Sequence, residues 1–167
     1  MTRTLVTATL LLFAGSAMAW ESLTPVVFGE DMYGPVQSEL LEAVNPLLFP
    51  NDAMRVMDVP TQLAMTDLNG DGTDEALLML IEETAYCDHL GCLTFVLQRD
   101  RDGWLEIGVM QGHWFGLEAG TDGWMNILAT QGPKGRIYYR HKNERFEKIG
   151  PAGVPLDMST LKDGGAK

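Results

Sequence analysis

From residue 62 to residue 149 the chain is a run of short apolar or alternating segments separated by turn chemistry. The segments are QLAMT at 62–66, ALLMLI at 76–81, LTFVLQ at 93–98, WLEIGVM at 104–110, WMNILAT at 124–130, RIYYRH at 136–141 and RFEKI at 145–149. Their lengths suit strands, and the intervening RDRDG, GTDG, QGPKG and KNE are turn formers. WLEIGVM alternates as a half-buried strand does. ALLMLI is apolar on both faces, which predicts a central strand covered from two sides. Seven strands joined by short turns imply an antiparallel meander.

Ahead of the strands, PVQSELLEAVNPLLF changes period. Val36, Leu40, Leu41, Val44, Leu47 and Leu48 recur at helical spacing and form one apolar stripe. Pro35 suits the first helical position, and Pro46 is expected to end or kink the helix near Asn45. This amphipathic helix is the available cover for the sheet. The fold class is therefore α+β, mostly β: a meander of about seven strands under one N-terminal helix. The stretch WESLTPVVFGEDMYG before the helix reads as loop. Residues 151–167, rich in Gly and Pro and poor in large apolar groups, read as a loosely held tail.

The first nineteen residues belong to a different pattern. Arg3, the apolar run Leu5 to Phe13 and the small residues AMA at 17–19 predict an export signal, too short to span a bilayer permanently. Trp20 rather than Cys follows, so no lipid anchor is expected. The predicted mature chain, Trp20 onward, forms one domain over 20–150 and is placed in the periplasm or outside the cell. Removing the leader removes Arg3 and no acid, leaving 11 basic against 23 acidic residues, a formal charge of −12. Such a surface disfavours nucleic acid and anionic lipid, and favours cations or a basic protein of the envelope. Cys87 and Cys92, the only cysteines, are expected to form a disulfide that fixes the turn CDHLGC.

The candidate chemistry lies in TDLNGDGTDEALLML at 66–80. Counting from Asp67, oxygen-bearing side chains fall at positions one, three, five and nine: Asp67, Asn69, Asp71 and Glu75, with the Thr73 carbonyl at seven. Calcium takes six to eight oxygen ligands, and Gly70 and Gly72 permit the tight turn that brings alternate side chains together. Without a cation these acids raise one another's pKa. An EF-hand is excluded, because position twelve is Leu78 and the following run reads as a strand.

The segment resembles the loop of FG-GAP and VCBS-type repeats, whose pattern D-x-[DN]-G-D-G-x-x-[DE] lies between two strands. That resemblance implies a calcium-binding β-hairpin covering some fifteen residues. A propeller is not implied, since only one copy is present. The wider layout is also similar to small exported proteins of Gram-negative bacteria that join such a loop to a YC…GC turn, here Tyr86, Cys87, Gly91 and Cys92; this implies architecture alone.

Catalytic motifs are sparse. His89, His113 and His141 lie in different segments, with no H-E-x-x-H or i, i+4 pair. Trp114–Phe115 and Tyr138–Tyr139 are sequence neighbours on strands, so at most one of each pair can join a given aromatic patch. The reading is an exported, non-catalytic calcium-binding domain acting as a binding or inhibitory partner of another envelope protein. A small periplasmic hydrolase using His89 or His113 as general base, and a structural stabiliser of an envelope assembly, are the alternatives.

Overall fold

The computed structural model describes residues 23–29, 34–48, 59–81, 85–132 and 135–150. The predicted signal and tail lie outside these residues. Among the described residues one helix and ten strands follow in chain order: β1 (Thr24–Pro25), α1 (Gly34–Leu48), β2 (Thr61–Thr66), β3 (Glu75–Leu80), β4 (Cys87–Asp88), β5 (Gly91–Asp100), β6 (Gly103–Gly112), β7 (Trp114–Ala119), β8 (Met125–Thr130), β9 (Arg136–Lys142) and β10 (Arg145–Ile149). The α+β, mostly β class is as expected. Three strands go beyond the seven: β1 and β4, of two residues each, and β7.

Every pairing is antiparallel, and the long strands pair with their neighbours in sequence. The meander is nevertheless divided into two sheets. One runs β2-β3-β5-β6, with β4 paired to the start of β5; the other runs β1-β7-β8-β9-β10. The division falls at Gly112–His113, where the chain leaves β6 and enters β7 in the other sheet.

The two sheets and the helix make three layers. Leu40, Leu41 and Val44 of α1 pack with Leu63, Ala76, Leu78, Leu80, Phe95 and Leu97 of the first sheet. On that sheet's other face, Leu77, Met79, Val96, Ile107 and Met110 meet Phe115, Leu117, Ile127, Ala129, Ile137, Tyr139 and Phe146 of the second. The side chains of β3 therefore alternate between two cores, and all six of its residues are buried. Burying each leucine contributes about 1.5–3 kcal/mol relative to exposure. A single helix cannot cover two faces. The expectation of one covering element is corrected accordingly: α1 covers one face of the first sheet and the second sheet covers the other.

The helix also runs further than Pro46 suggested, continuing through that residue to Leu48. Proline removes one backbone donor, and so near the C-terminus only the last turn feels the loss. Leu47, part of the predicted apolar stripe, is 51% exposed; Leu40, Leu41 and Val44 are buried, and Val36 and Leu48 pack half-buried beside them.

Both sides of the sandwich are stitched. At one, β10 approaches β6: Arg145 donates twice to the Glu106 carboxylate, at 2.8 and 2.6 Å. At the other, residues 24–29 form a strap. Thr24 and Pro25 pair with β7, the Val26 amide donates to the Phe115 carbonyl at 3.0 Å, and Gly29 exchanges both backbone bonds with Leu63 of β2.

Candidate metal site and the cysteine turn

The acidic segment is the hairpin turn between β2 and β3, closed by the pair Thr66↔Glu75. Backbone amides and carboxylates knit it together. Asp67 accepts from the amides of Gly70 at 2.7 Å and Gly72 at 3.0 Å; Asp71 accepts from Thr73 N at 2.7 Å. The Asn69 amide nitrogen donates to Asp71 Oδ2 at 2.9 Å and to Glu75 Oε1 at 3.3 Å, while Asn69 Oδ1 accepts from Asp71 N at 2.8 Å. Gly70 and Gly72 both have positive φ, at 75° and 86°. Three of the five expected ligand residues, Asn69, Asp71 and Glu75, thus share one hydrogen-bond network, while Asp67 accepts separately from Gly70 and Gly72. Thr73, expected to contribute its carbonyl, enters that network through its N–H instead.

Glu75 differs from the other acids. It is buried, only 1% exposed, and its Oε2 accepts from Leu68 N at 2.8 Å. Burial first, and then repulsion from Asp71 and Asp67, push its pKa up to about 7, against the opposing Leu68 hydrogen bond. Asp71 moves the other way: the Thr73 amide and Asn69 hold its pKa below the ordinary value. The donor set consists of oxygens, the chemistry suited to a hard cation such as calcium. The amide N–H₂ of Asn69 is the positive end of a dipole set between two acids, the role a cation would take over. Among the described residues, no group of three or more His, Cys, Asp or Glu side chains stands arranged to hold a metal ion.

Leu68 lies outside the oxygen pattern of the sequence, yet it anchors this loop. It is fully buried in the core between the sheets, and its carbonyl accepts from Met125 N of β8 at 2.7 Å. The loop is therefore tied to both sheets. A lone apolar residue between Asp67 and Asn69 carries no periodic signal, which is why it escapes a pattern search.

Cys87 and Cys92 face each other across the β4–β5 hairpin and form the expected disulfide. Leu90 N donates to Asp88 Oδ1 at 2.7 Å, and Gln111 Nε2 reaches the same atom at 2.9 Å. Gly91 has φ of 109°, and a Cβ there would lie 2.0 Å from the Gly112 carbonyl carbon. The turn thus sits directly on the backbone where β6 passes into β7.

The histidines divide between two places. His89 is 70% exposed, with Nδ1 4.0 Å from Asp88 Oδ2. His113 Nε2 lies 3.4 Å from the His89 carbonyl, so the two come near each other through backbone rather than ring to ring. His141 stacks on Trp124 at 3.8 Å between ring centroids, and both meet Phe146 edge-on. Burial holds the His141 pKa below its ordinary value, with Asp122 and Glu144 pulling it back up.

Of the aromatic neighbours, Phe115 and Tyr139 point into the core, while Trp114 and Tyr138 are half-buried. An open cleft of about 560 Å³ lies between α1 and the β5–β6 turn, lined by Glu39, Glu42, Arg99, Arg101, Asp102 and Trp104 among others. Arg99 there pairs with Glu39 at 3.3 Å and lies over the Trp104 ring. A second, smaller cavity lies under the strap. Neither is lined by a histidine.

No protein-family model, curated protein or solved structure matches this chain. Fold and site define its class on their own terms: a two-sheet antiparallel β domain with one covering helix, one disulfide-closed turn and one acidic hairpin turn.

Proposed function

We propose that this chain is an exported, non-catalytic calcium-binding domain that serves as a binding partner of a basic envelope protein. The observation that carries the metal half is Glu75. A carboxylate buried at the foot of a turn and facing Asp67 and Asp71 is electrostatically unfavourable, and a divalent cation is the partner that would reverse the repulsion. Asp67, Asn69, Asp71 and Glu75 would hold the ion through side-chain oxygens, with the Thr73 carbonyl as a further donor. Bound there, calcium would supply charge neutralisation and link the β2–β3 hairpin, through Leu68, to β8. Its role is stabilisation. The formal charge of −12 on the predicted mature chain supports the partner half, since it speeds encounter with a basic surface.

Calorimetry on the chelator-stripped chain tests the metal. Calcium is expected to bind at about 10⁻⁴–10⁻³ M, the range of extracellular modules, and to raise the melting temperature. The double variant Asp67→Ala, Asp71→Ala should abolish both effects. Superimposable melting curves in chelator and in millimolar calcium would overturn the metal reading.

A further inference from the structure

We infer that the fork between the strap and β2 is a docking slot for an extended segment of the basic partner, one apolar residue flanked by lysine or arginine. The inference rests on the partner-binding half of the reading above and not on the metal.

Backbone arithmetic comes first. Leu63 spends its N–H and C=O on Gly29, at 3.2 and 2.9 Å, so these groups point away from β3. Outward and inward residues alternate along an antiparallel strand. Two residues on, Met65 therefore also turns its N–H and C=O away from β3. Continuing the Gly29↔Leu63 register would set Val27 opposite Met65. The strap does not continue. At Val26 it is already bonded to Phe115, and at Thr24–Pro25 it is paired with β7. Among the described residues nothing bonds the Met65 backbone on that side.

Side chains finish the slot. The fork holds a cavity of about 210 Å³ lined by Val26, Val27, Ala64, Met65, Thr66 and Leu117 among others. Val27, at its edge, is 77% exposed. An unpaired strand edge beside an apolar hole is the arrangement that strand addition uses: main-chain bonds hold the peptide, and a pocket takes one side chain. The flanking charge decides the occupant. The acidic turn begins directly after Thr66, and among its exposed carboxylates Asp74 lies outside the proposed ligand set. An apolar residue set in the hole would bring its neighbours toward those carboxylates, which cationic side chains satisfy and acidic ones do not.

The test uses the full mature chain and three labelled peptides in chelator: lysine alternating with valine, glutamate alternating with valine, and oligolysine of equal charge. The lysine–valine peptide is expected to bind and to slow hydrogen exchange at the Met65 amide, the other two at least about tenfold more weakly. Met65→Pro deletes the outward donor while sparing the ladder to β3, and should cost about tenfold in affinity. Asp74→Lys, outside the proposed ligand set, should weaken binding and flatten its salt dependence.

Equal binding of oligolysine overturns the inference, as does undiminished affinity in a folded Met65→Pro. If Met65→Pro does not fold, the wild-type exchange experiment decides, and absence of peptide-induced protection is fatal. A Met65 amide already protected in the free chain would mean that the chain's own residues or a second copy fill the fork, and also overturns it. The two readings separate cleanly. Peptide binding without calcium binding removes the metal alone. A basic protein retained equally by wild-type and folded Met65→Pro removes the slot alone.

Discussion

The acidic turn and the cysteine turn close neighbouring strands of the same sheet by opposite means. At 87–92 a covalent bond shuts the hairpin, and the tertiary demand is space: Gly91 lies against Gly112 with no room for a methyl group. At 67–75 hydrogen bonds from backbone amides shut the turn, and space is plentiful, since a Cβ on Gly70 or Gly72 would meet nothing within 4 Å. Its difficulty is charge, concentrated on Glu75. One turn is limited by sterics and the other by electrostatics, so they should answer to different perturbations.

The largest difference is expected between two glycines. Gly91→Ala forces a methyl group into backbone at positive φ and should cost about 3 kcal/mol or more, read as a collapse of the melting temperature. Gly70→Ala meets only the conformational penalty and should cost about 1 kcal/mol by denaturant titration. Comparable losses at both sites would break the contrast. Next comes Leu68→Ala, expected at about 2–5 kcal/mol because the side chain is fully buried in the inter-sheet core. A loss well below that range would mean the acidic turn is an appendage rather than a link between sheets.

Replacing both cysteines by serine should cost about 2 kcal/mol, since so short a loop restrains the unfolded chain only modestly. The same change should leave calcium binding unaltered.

The pH dependence is the most diagnostic effect. Glu75 has a folded pKa of about 7, above its ordinary 4.5. Its contribution to stability is full below the lower value and is lost as pH rises through the upper one. In chelator the melting temperature should therefore fall from about pH 5 to about pH 8, and Glu75→Gln should flatten that fall. Calcium should oppose it, because the ion competes with the proton for the same carboxylate. His141 acts with the opposite sign: its lowered pKa makes stability full above 6.5 and lost as pH falls below it. A Glu75→Gln variant with an unchanged pH profile would show that the acidic turn is not electrostatically strained.

How far each feature was legible follows from the range of its physics. The run ALLMLI announced a strand covered on both faces, and β3 is one. The helical stripe at 36–44 was equally plain, whereas the alternation at 104–110 is interrupted: the register shifts opposite Val96/Leu97, so Ile107 and Met110 both enter the inter-sheet core while Leu105 and Val109 are exposed. Strand β7 was not, because its middle, Phe-Gly-Leu, is buried on both faces and lacks alternation. The strap lies in a stretch whose sequence predicts loop, and nothing in TPVVFG announces pairing to two different strands. In the acidic turn the oxygen spacing could be counted along the chain. The burial of Glu75, the anchoring by Leu68 and its bond to Met125 could not, since each depends on a residue from another strand.

Local chemistry is thus what the sequence determined by itself: strand and helix periods, turn glycines, a short disulfide loop and a set of oxygens at alternating positions. These depend on neighbours a few residues away, whose geometry the backbone alone dictates. Tertiary structure decided where the meander divides, which face α1 covers, which carboxylate is denied water, and that the strap leaves the β2 edge at Val27. Those outcomes turn on side chains far apart in the chain competing for the same volume, and no local pattern records that competition.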